Sequence, residues 1–311
     1  MKNSQIYIVL IGVMLLWGVN VSALKVLVDH FDPITITAVR IFTAASMVFI
    51  ILFFLKKIRL PQREEWGLVI GGAFTSVVAH HYFLSDGLAK TSAANGGLIL
   101  GLGPLLTAIL SVIILKEKLT IWRLSGFLLG GIGVSFTVLA GGGGLGEVSL
   151  GDVEILLAIL SQAFSFIIIK KASEKMDARL LTGYMLLIGS LFLLLIALWK
   201  EPHGITSLRT GSISLWLIFL FSALFATAIG HMVYNSTIQK IGAAGASIFL
   251  NLNTFFSLIG AGLFLGEKLL PAHFIGLIFI VLGVSLGSGA LEYYLRSMRK
   301  VGDEDSPPSD S

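Results

Sequence analysis

Residues 80–119 read HHYFLSDGLAKTSAANGGLILGLGPLLTAILSVIILKEKL, and residues 230–269 read GHMVYNSTIQKIGAAGASIFLNLNTFFSLIGAGLFLGEKL. Displaced by 150 positions, the two stretches align without a gap. His81 falls on His231, Lys90 on Lys240, Ala93-Ala94 on Ala243-Ala244, Leu100 on Leu250, and Glu117-Lys118-Leu119 on Glu267-Lys268-Leu269. The match runs on to Leu139, with Gly126 on Gly276 and Gly133-Val134-Ser135 on Gly283-Val284-Ser285. An internal repeat fixes the architecture before any single motif does. Each copy holds two long apolar runs joined by a short charged turn, Lys116-Glu117-Lys118 in the first and Gly266-Glu267-Lys268 in the second. The chain therefore reads as two similar halves, with its function expected where they meet.

Composition sets the class. Of 311 residues, 55% are hydrophobic and only 13% charged, with a mean hydropathy of +0.91. A soluble domain carries about 25% charged residues, so a polytopic membrane protein in a lipid bilayer is expected. The net charge of +4 sits mostly in short loops between apolar runs, as membrane orientation requires, and offers no nucleic-acid surface. The absence of cysteine excludes disulfides, thiol catalysis and cysteine-ligated zinc. Lys2, an apolar run and Val21-Ser22-Ala23 mimic a cleaved leader, but Ile6–Leu24 is long enough to span and further spans follow.

Ten spans are expected, all helical: Ile6–Leu24, Ile34–Leu55, Trp66–Leu84, Ala93–Leu115, Ile121–Ala140, Val153–Ile169, Leu180–Leu198, Ile213–Tyr234, Ala243–Leu265 and Phe274–Leu291. The first five fill a repeat over residues 5–140, residues 141–152 link the halves, and the last five fill a repeat over residues 153–291. Residues 292–311 form a polar tail, its end acidic and rich in Pro and Ser. With both termini placed in the cytoplasm, sixteen Lys and Arg lie inside and five outside, and Arg40 within a span completes the 22. That asymmetry orients the chain. Five spans per half is an odd number, so the second half must cross the membrane in the opposite sense. The early spans repeat more faintly under a shift of 145, Lys25 meeting Lys170 and Asp32 meeting Asp177. Inverted repeats are a common build for secondary transporters, whose two halves open a midplane site to each side in turn.

Several motifs resemble one family. Trp17-Gly18-Val19-Asn20 is similar to the Trp-Gly-Ser-Asn start of the EamA-type members of the drug/metabolite transporter superfamily. Arg40-Ile41-Phe42 resembles that family's Arg-Phe in its second span. Gly103-Pro104-Leu105 followed by Lys116-Glu117-Lys118-Leu119 resembles its Pro, spacer, Gly-Glu-Arg/Lys-Leu signature, and Gly266-Glu267-Lys268-Leu269 repeats it more faithfully. Gly126 and Gly133 match its glycines in the following span. The likeness covers about residues 5 to 291 and lies in the order, spacing and duplication of the motifs. It implies ten helices in two inverted repeats and export or uptake of small metabolites without ATP, in a bacterial plasma membrane. Lys116 replaces the usual Gly, and Thr254 stands where the second copy would carry the proline of Pro104; substrate, coupling ion and oligomeric state stay open.

Polar groups inside spans are costly unless they face a bundle interior or a cavity. Trp17 and Asn20 lie three apart, on one helical face, and Gln162 meets Trp17 under the 145 shift. Gly101-Leu102-Gly103-Pro104 has Asn251-Leu252-Asn253-Thr254 as its repeat partner, and interrupted segments at matching places point to a transport site. Gly101 and Gly103 also suit close helix packing. A midplane cavity is thus expected to be lined by Trp17, Asn20, His81, Gly101, Gln162, His231, Asn251 and Asn253. Arg40, Pro104, Tyr82 and Tyr234 are candidates for gating or contact with an anion. Arg40 matches a carboxylate in geometry, though snorkelling or pairing with Asp32 or Asp86 would also satisfy it. His81 and His231 titrate near neutral pH and offer proton coupling; the alternative is a neutral histidine bonded to a neighbouring helix. No carboxylate or third ligand stands at metal-binding spacing from them.

The sequence holds no His-Glu-x-x-His and no P-loop. No enzyme, cofactor or bound metal is expected, and the chain cannot itself be an ATP-driven pump. The expected function is secondary transport of small organic solutes, an exporter of amino acids or related metabolites on the strength of the resemblance. A multidrug or purine-type exporter, or an intramembrane enzyme using His81 and His231, are the alternatives.

Overall fold

The computed structural model describes residues 3–115, 120–141, 149–247 and 249–287. Among them every regular element is helical, as apolar runs in hydrocarbon must be, since a helix satisfies its own backbone. In order these are α1 (Asn3–His30), α2 (Pro33–Phe54), α3 (Trp66–Gly72), α4 (His80–Lys90), α5 (Ala93–Leu100), α6 (Gly103–Leu115), α7 (Ile121–Gly141), α8 (Leu150–Ala172), α9 (Ala178–Lys200), α10 (Gly204–Ser207), α11 (Ile213–Leu220), α12 (Gly230–Ser247), α13 (Leu250–Leu265) and α14 (Pro271–Gly287). A π-helical stretch, Ala73–Ala79, joins α3 to α4, and another, Phe221–Ile229, joins α11 to α12. Six helices among the described residues are long and apolar enough to cross a membrane: Ile6–His30, Pro33–Phe54, Trp66–Lys90, Leu150–Ala172, Ala178–Lys200 and Ile213–Lys240. Shorter apolar helices accompany them, and the chain is a multi-pass membrane protein.

The helix starts follow the local chemistry. Pro33 opens α2, where its missing N–H costs nothing. Ser92, Asp177 and Ser212 cap α5, α9 and α11 by accepting a backbone N–H. Ser149 and Asp152 form a reciprocal capping box at α8. The outside of the bundle is as apolar as its interior. Phe53, Trp199, Ile213 and Leu263 are 68%, 79%, 81% and 75% exposed, an apolar surface suited to a lipid bilayer.

The packing pairs distant parts of the chain. α1 lies on α13, α2 on α9, α8 on α4, α5 and α6, and α7 on α14. The α7–α14 seam brings backbones together: a Cβ on Gly133 would sit 2.8 Å from the Gly276 carbonyl, and one on Gly283 would sit 2.5 Å from the Gly130 nitrogen. Small residues at such seams let helices approach closely. At one end of the bundle Glu201 accepts the N–H groups of Ile34 and Thr35 at 3.0 and 2.7 Å. Glu267 accepts those of Ala93 and Ala94 at 2.9 and 3.0 Å. At the other end Arg59 meets Glu65 at 2.6 and 2.7 Å, and Lys57 meets Asp177 at 2.9 Å.

The element boundaries depart from the sequence in three places. The run Ala93–Leu115 is broken into α5 and α6 at Gly101-Leu102, because Pro104 has no N–H and its ring crowds the Leu100 carbonyl. The Gly101 and Leu102 amides turn to the Leu98 and Ile99 carbonyls instead, each at 3.0 Å. In the second half the expected turn between Tyr234 and Ala243 is absent: α12 continues to Ser247, and α13 starts at Leu250. Lastly, α1 and α4 run on to His30 and Lys90, past the apolar limits at Leu24 and Leu84, because i,i+4 pairs such as Lys25–Asp29 and Asp86–Lys90 sustain polar helix ends. The Lys116-Glu117-Lys118 turn, most of the linker and the tail lie outside the described residues.

Candidate functional site

A chamber of about 80 Å³ lies inside the bundle, walled by Trp17, Asn20, Val21 and Leu24 of α1, His80, His81 and Leu84 of α4, Leu100 of α5, Ile159, Gln162 and Phe166 of α8, Ala226 and Thr227 of the second π stretch, His231 of α12, and Leu250 and Asn253 of α13. Both halves of the chain contribute. Apolar walls with a few convergent polar groups are what a small-molecule site presents.

The two π stretches place the histidines. Each ends immediately before His80-His81 or Gly230-His231. π turns widen a helix, loosen its hydrogen-bond ladder and often mark functional positions. Here neighbours bond the loosened backbone from outside: Trp17 Nε1 donates to the Ala226 carbonyl at 2.8 Å, and Ser161 Oγ donates to the Thr75 carbonyl at 2.8 Å. Trp17 and Ser161 stand one position from correspondence under the 145 shift, so the same device serves both halves. Rings continue the wall: Trp17 lies 4.9 Å from His231, and His231 lies 5.7 Å from His81.

Several polar atoms in this region have no protein partner. Asn20 Oδ1, Gln162 Oε1, Asn253 Oδ1 and His81 Nε2 are all buried and unpaired. Gln162 Nε2 is held by Ser165 Oγ at 3.0 Å, with Ser76 Oγ at 3.4 Å. An orphaned buried polar atom is expensive, so each marks a place where a ligand or water completes the set.

Arg40 stands directly behind the lining. It is 1% exposed, donates from Nη1 to Thr227 Oγ1 at 2.5 Å, and faces His81 Nδ1 from Nη2 at 3.5 Å. It neither snorkels nor pairs with an acid: Asp86 is taken by Lys90 at 2.9 Å, and among the described residues no carboxylate lies within ion-pair distance of Arg40.

Trp17, Asn20, His81, Gln162, His231 and Asn253 thus share the chamber wall, and two others do not. Gly101 belongs to the α5–α13 contact, where a Cβ would collide with Thr254 Oγ1. Asn251 lies outside the lining, although its Oδ1 is also buried and unpaired. Pro104 acts on the α5–α6 break and not on the wall. Tyr82 sits towards the bundle's end, its hydroxyl accepting from Lys200. Tyr234 is fully buried behind Trp17, 4.9 Å away between ring centres. Thr227, Phe166 and His80 line the chamber as well, beyond the residues expected from the sequence. Spacing would have found Phe166, one helical turn past Gln162, and Thr227, four residues before His231. Among the described residues no group of three metal-ligating side chains occurs.

Comparison with known proteins adds the family. The chain matches the EamA-like transporter family twice, over residues 4–139 and 149–288. It is 30% identical over 298 residues to the uncharacterized transporter YyaM of Bacillus subtilis, covering 94% of this chain and 96% of that protein. It is 26% identical to an uncharacterized transporter of Archaeoglobus fulgidus, over 89% of this chain and 96% of the relative, and 27% identical to the chloroplastic WAT1-related protein At3g02690 of Arabidopsis thaliana, over 86% and 66%. A solved crystal structure superposes with a TM-score of 0.68 at 15% identity, covering 92% of this chain and 97% of that one, a likeness of fold. Two matches that together take in nearly every helix described above leave one assignment: the chain belongs to the EamA-like transporter family.

Proposed function

We propose that the chain is a secondary transporter that carries small organic solutes across the plasma membrane by alternating access, exporting amino acids or related metabolites. The observation that carries this reading is the chamber itself, walled by both halves and holding unpaired amide oxygens from α1, α8 and α13. Amides offer both donors and acceptors, which suits a zwitterionic or amide-bearing solute, and Trp17 adds a flat wall that attracts an ammonium group.

The architecture proposed is ten spans in two inverted repeats. The segments α3 with α4, α5 with α6, and α11 with α12 then each count as one interrupted span. Exchange of the halves preserves the packing: α1 on α13 becomes α8 on α5 and α6, while α2 on α9 and α7 on α14 map onto themselves. The paired π stretches support the same symmetry. Both termini are placed in the cytoplasm, and proton coupling through His81 or His231 belongs to the proposal.

A metabolite screen of cells overexpressing the chain against an empty control identifies what leaves or enters. Reconstituted vesicles then decide the class. Flux of an unmodified solute supports transport; a chemically altered product would replace this reading with enzymology. A preference for large apolar cations would move it to multidrug export.

A further inference from the structure

We propose that Arg40, His81 and Thr227 form a subsite for a single carboxylate group of the solute. This deepens the transport reading and takes the chamber to be the solute site.

Arg40 is a fixed positive charge in the interior, and a guanidinium does not lose its proton there. Buried charges are otherwise paired, because an unpaired one is strongly destabilising. The ion pairs of the described residues lie towards the bundle's ends, and none includes Arg40. The charge is also confined to one half, since Arg40 falls on Ser190 under the 150 shift and on Met185 under the 145 shift.

The hydrogen-bond polarity around it is determined. Thr227 Oγ1 gives its own proton to the Ser222 carbonyl at 2.8 Å, so its lone pair receives Arg40 Nη1 at 2.5 Å. A guanidinium only donates, so the His81 Nδ1 that faces it at 3.5 Å carries the lone pair and the ring proton sits on Nε2. That Nε2–H is buried without a partner, as is Arg40 Nε. His81 and Thr227 line the chamber, and Arg40, outside the lining, contacts both. The arrangement presents unmatched donors and one net positive charge. Its complement is an acceptor-only group of charge minus one, and a carboxylate fits it in charge and lone pairs. His81 supplies the hydrogen bond, and Arg40 supplies the field and holds the tautomer.

The test uses two isosteric pairs, propionate against propionamide and L-alanine against L-alaninamide. Equilibrium binding of each labelled probe to purified protein in detergent is measured up to about 50 mM, far above the range of a micromolar-class site. The carboxylates are expected to bind at least about tenfold more tightly than their amides. Arg40→Gln should erase that difference, and Arg40→Lys should keep part of it. Equal binding of acid and amide, undiminished preference in Arg40→Gln, or no binding of either carboxylate at the highest concentration would each overturn the subsite. Carboxylate-selective binding without flux in vesicles would retain the subsite and remove the transport reading; flux of an uncharged solute, unaltered in Arg40→Met, would do the reverse.

Discussion

Trp17 is both wall and strut: its ring faces the chamber while its Nε1–H holds the Ala226 carbonyl. Trp17→Phe keeps the ring and removes the bond, so protein abundance should fall modestly, by a loss of about 1 kcal/mol. Asn20→Ala and Asn253→Ala remove groups whose oxygens bond to nothing in the protein. Their membrane abundance should hold while solute affinity falls about five- to hundredfold, the equivalent of ~1–3 kcal/mol. Collapse of abundance with affinity intact would make both residues helix packing. Proton coupling is tested at His81, which faces Arg40, His80 and His231. His81→Gln or His231→Gln should abolish accumulation driven by a pH gradient and spare counterflow; unchanged gradient dependence in both and in the double variant rejects it. Asn20, His81 and Gln162 were legible because a polar side chain in an apolar run has few places to go. Gly101 was read both as lining and as close packing, and its contact with Thr254 on a distant helix is the packing one. Arg40 was half legible: its burial follows from its place in α2, but the missing carboxylate is a fact of three dimensions.

Elements end where the backbone needs partners, and the Gly266-Glu267 motif shows how one signature serves two helices. Gly266 takes a left-handed φ of 64° at the C-terminus of α13, a conformation that costs other residues about 1–2 kcal/mol. The turn it makes sends Glu267 back to the N-terminus of α5, whose first amides would otherwise be orphaned. Gly266→Val and Glu267→Gln should therefore both lower the thermal midpoint in detergent, the first through strain and the second through loss of charge at the helix start. An unchanged midpoint in Glu267→Gln would show that the neutral amide caps equally well. The motif was legible as a family mark, but its mechanism joins residues 174 apart. The π stretches carry no sequence signature of their own; Ala73–Ala79 reads as ordinary helix, and only the neighbours that bond its backbone reveal the extra residue. The turn expected before Ala243 failed because Gly242 has no proline or N-cap behind it, and small residues alone do not stop a helix.

At the scale of the molecule the 150-residue repeat and the interruption at Pro104 stand in the sequence, and the π-helical stretches do not. Orientation has a direct test in a cysteine-free chain. Ile58 and His203 are exposed in connections at opposite ends of the bundle. An impermeant thiol reagent on intact cells should label His203→Cys and spare Ile58→Cys; the opposite pattern inverts the topology. The charged end also sets the response to acid. Hydrogen bonds from Arg179, and then from Lys57, hold the Asp177 carboxylate below the usual range. A depressed carboxylate contributes stability that is present above its unfolded value, near about 4, and is lost as pH falls through the folded one. The thermal midpoint should thus drop on acidification below about pH 4, and Asp177→Asn should flatten that drop while starting lower at neutral pH. An identical slope in the variant would assign the acid sensitivity to another group, such as Glu65, which Arg59 likewise holds down.

The bare backbone contact between α7 and α14 bears on how genetic screens of this chain should be read. Saturation mutagenesis will score Gly133 and Gly283 as intolerant, since a methyl on either meets main-chain atoms of the facing helix at under 3 Å. Neither residue touches the chamber, so a loss-of-function map will show a second hot region with no bearing on cargo. Sorting variants first by surface abundance, and only then by transport phenotype, separates the two regions and keeps a packing defect from being mistaken for a recognition site.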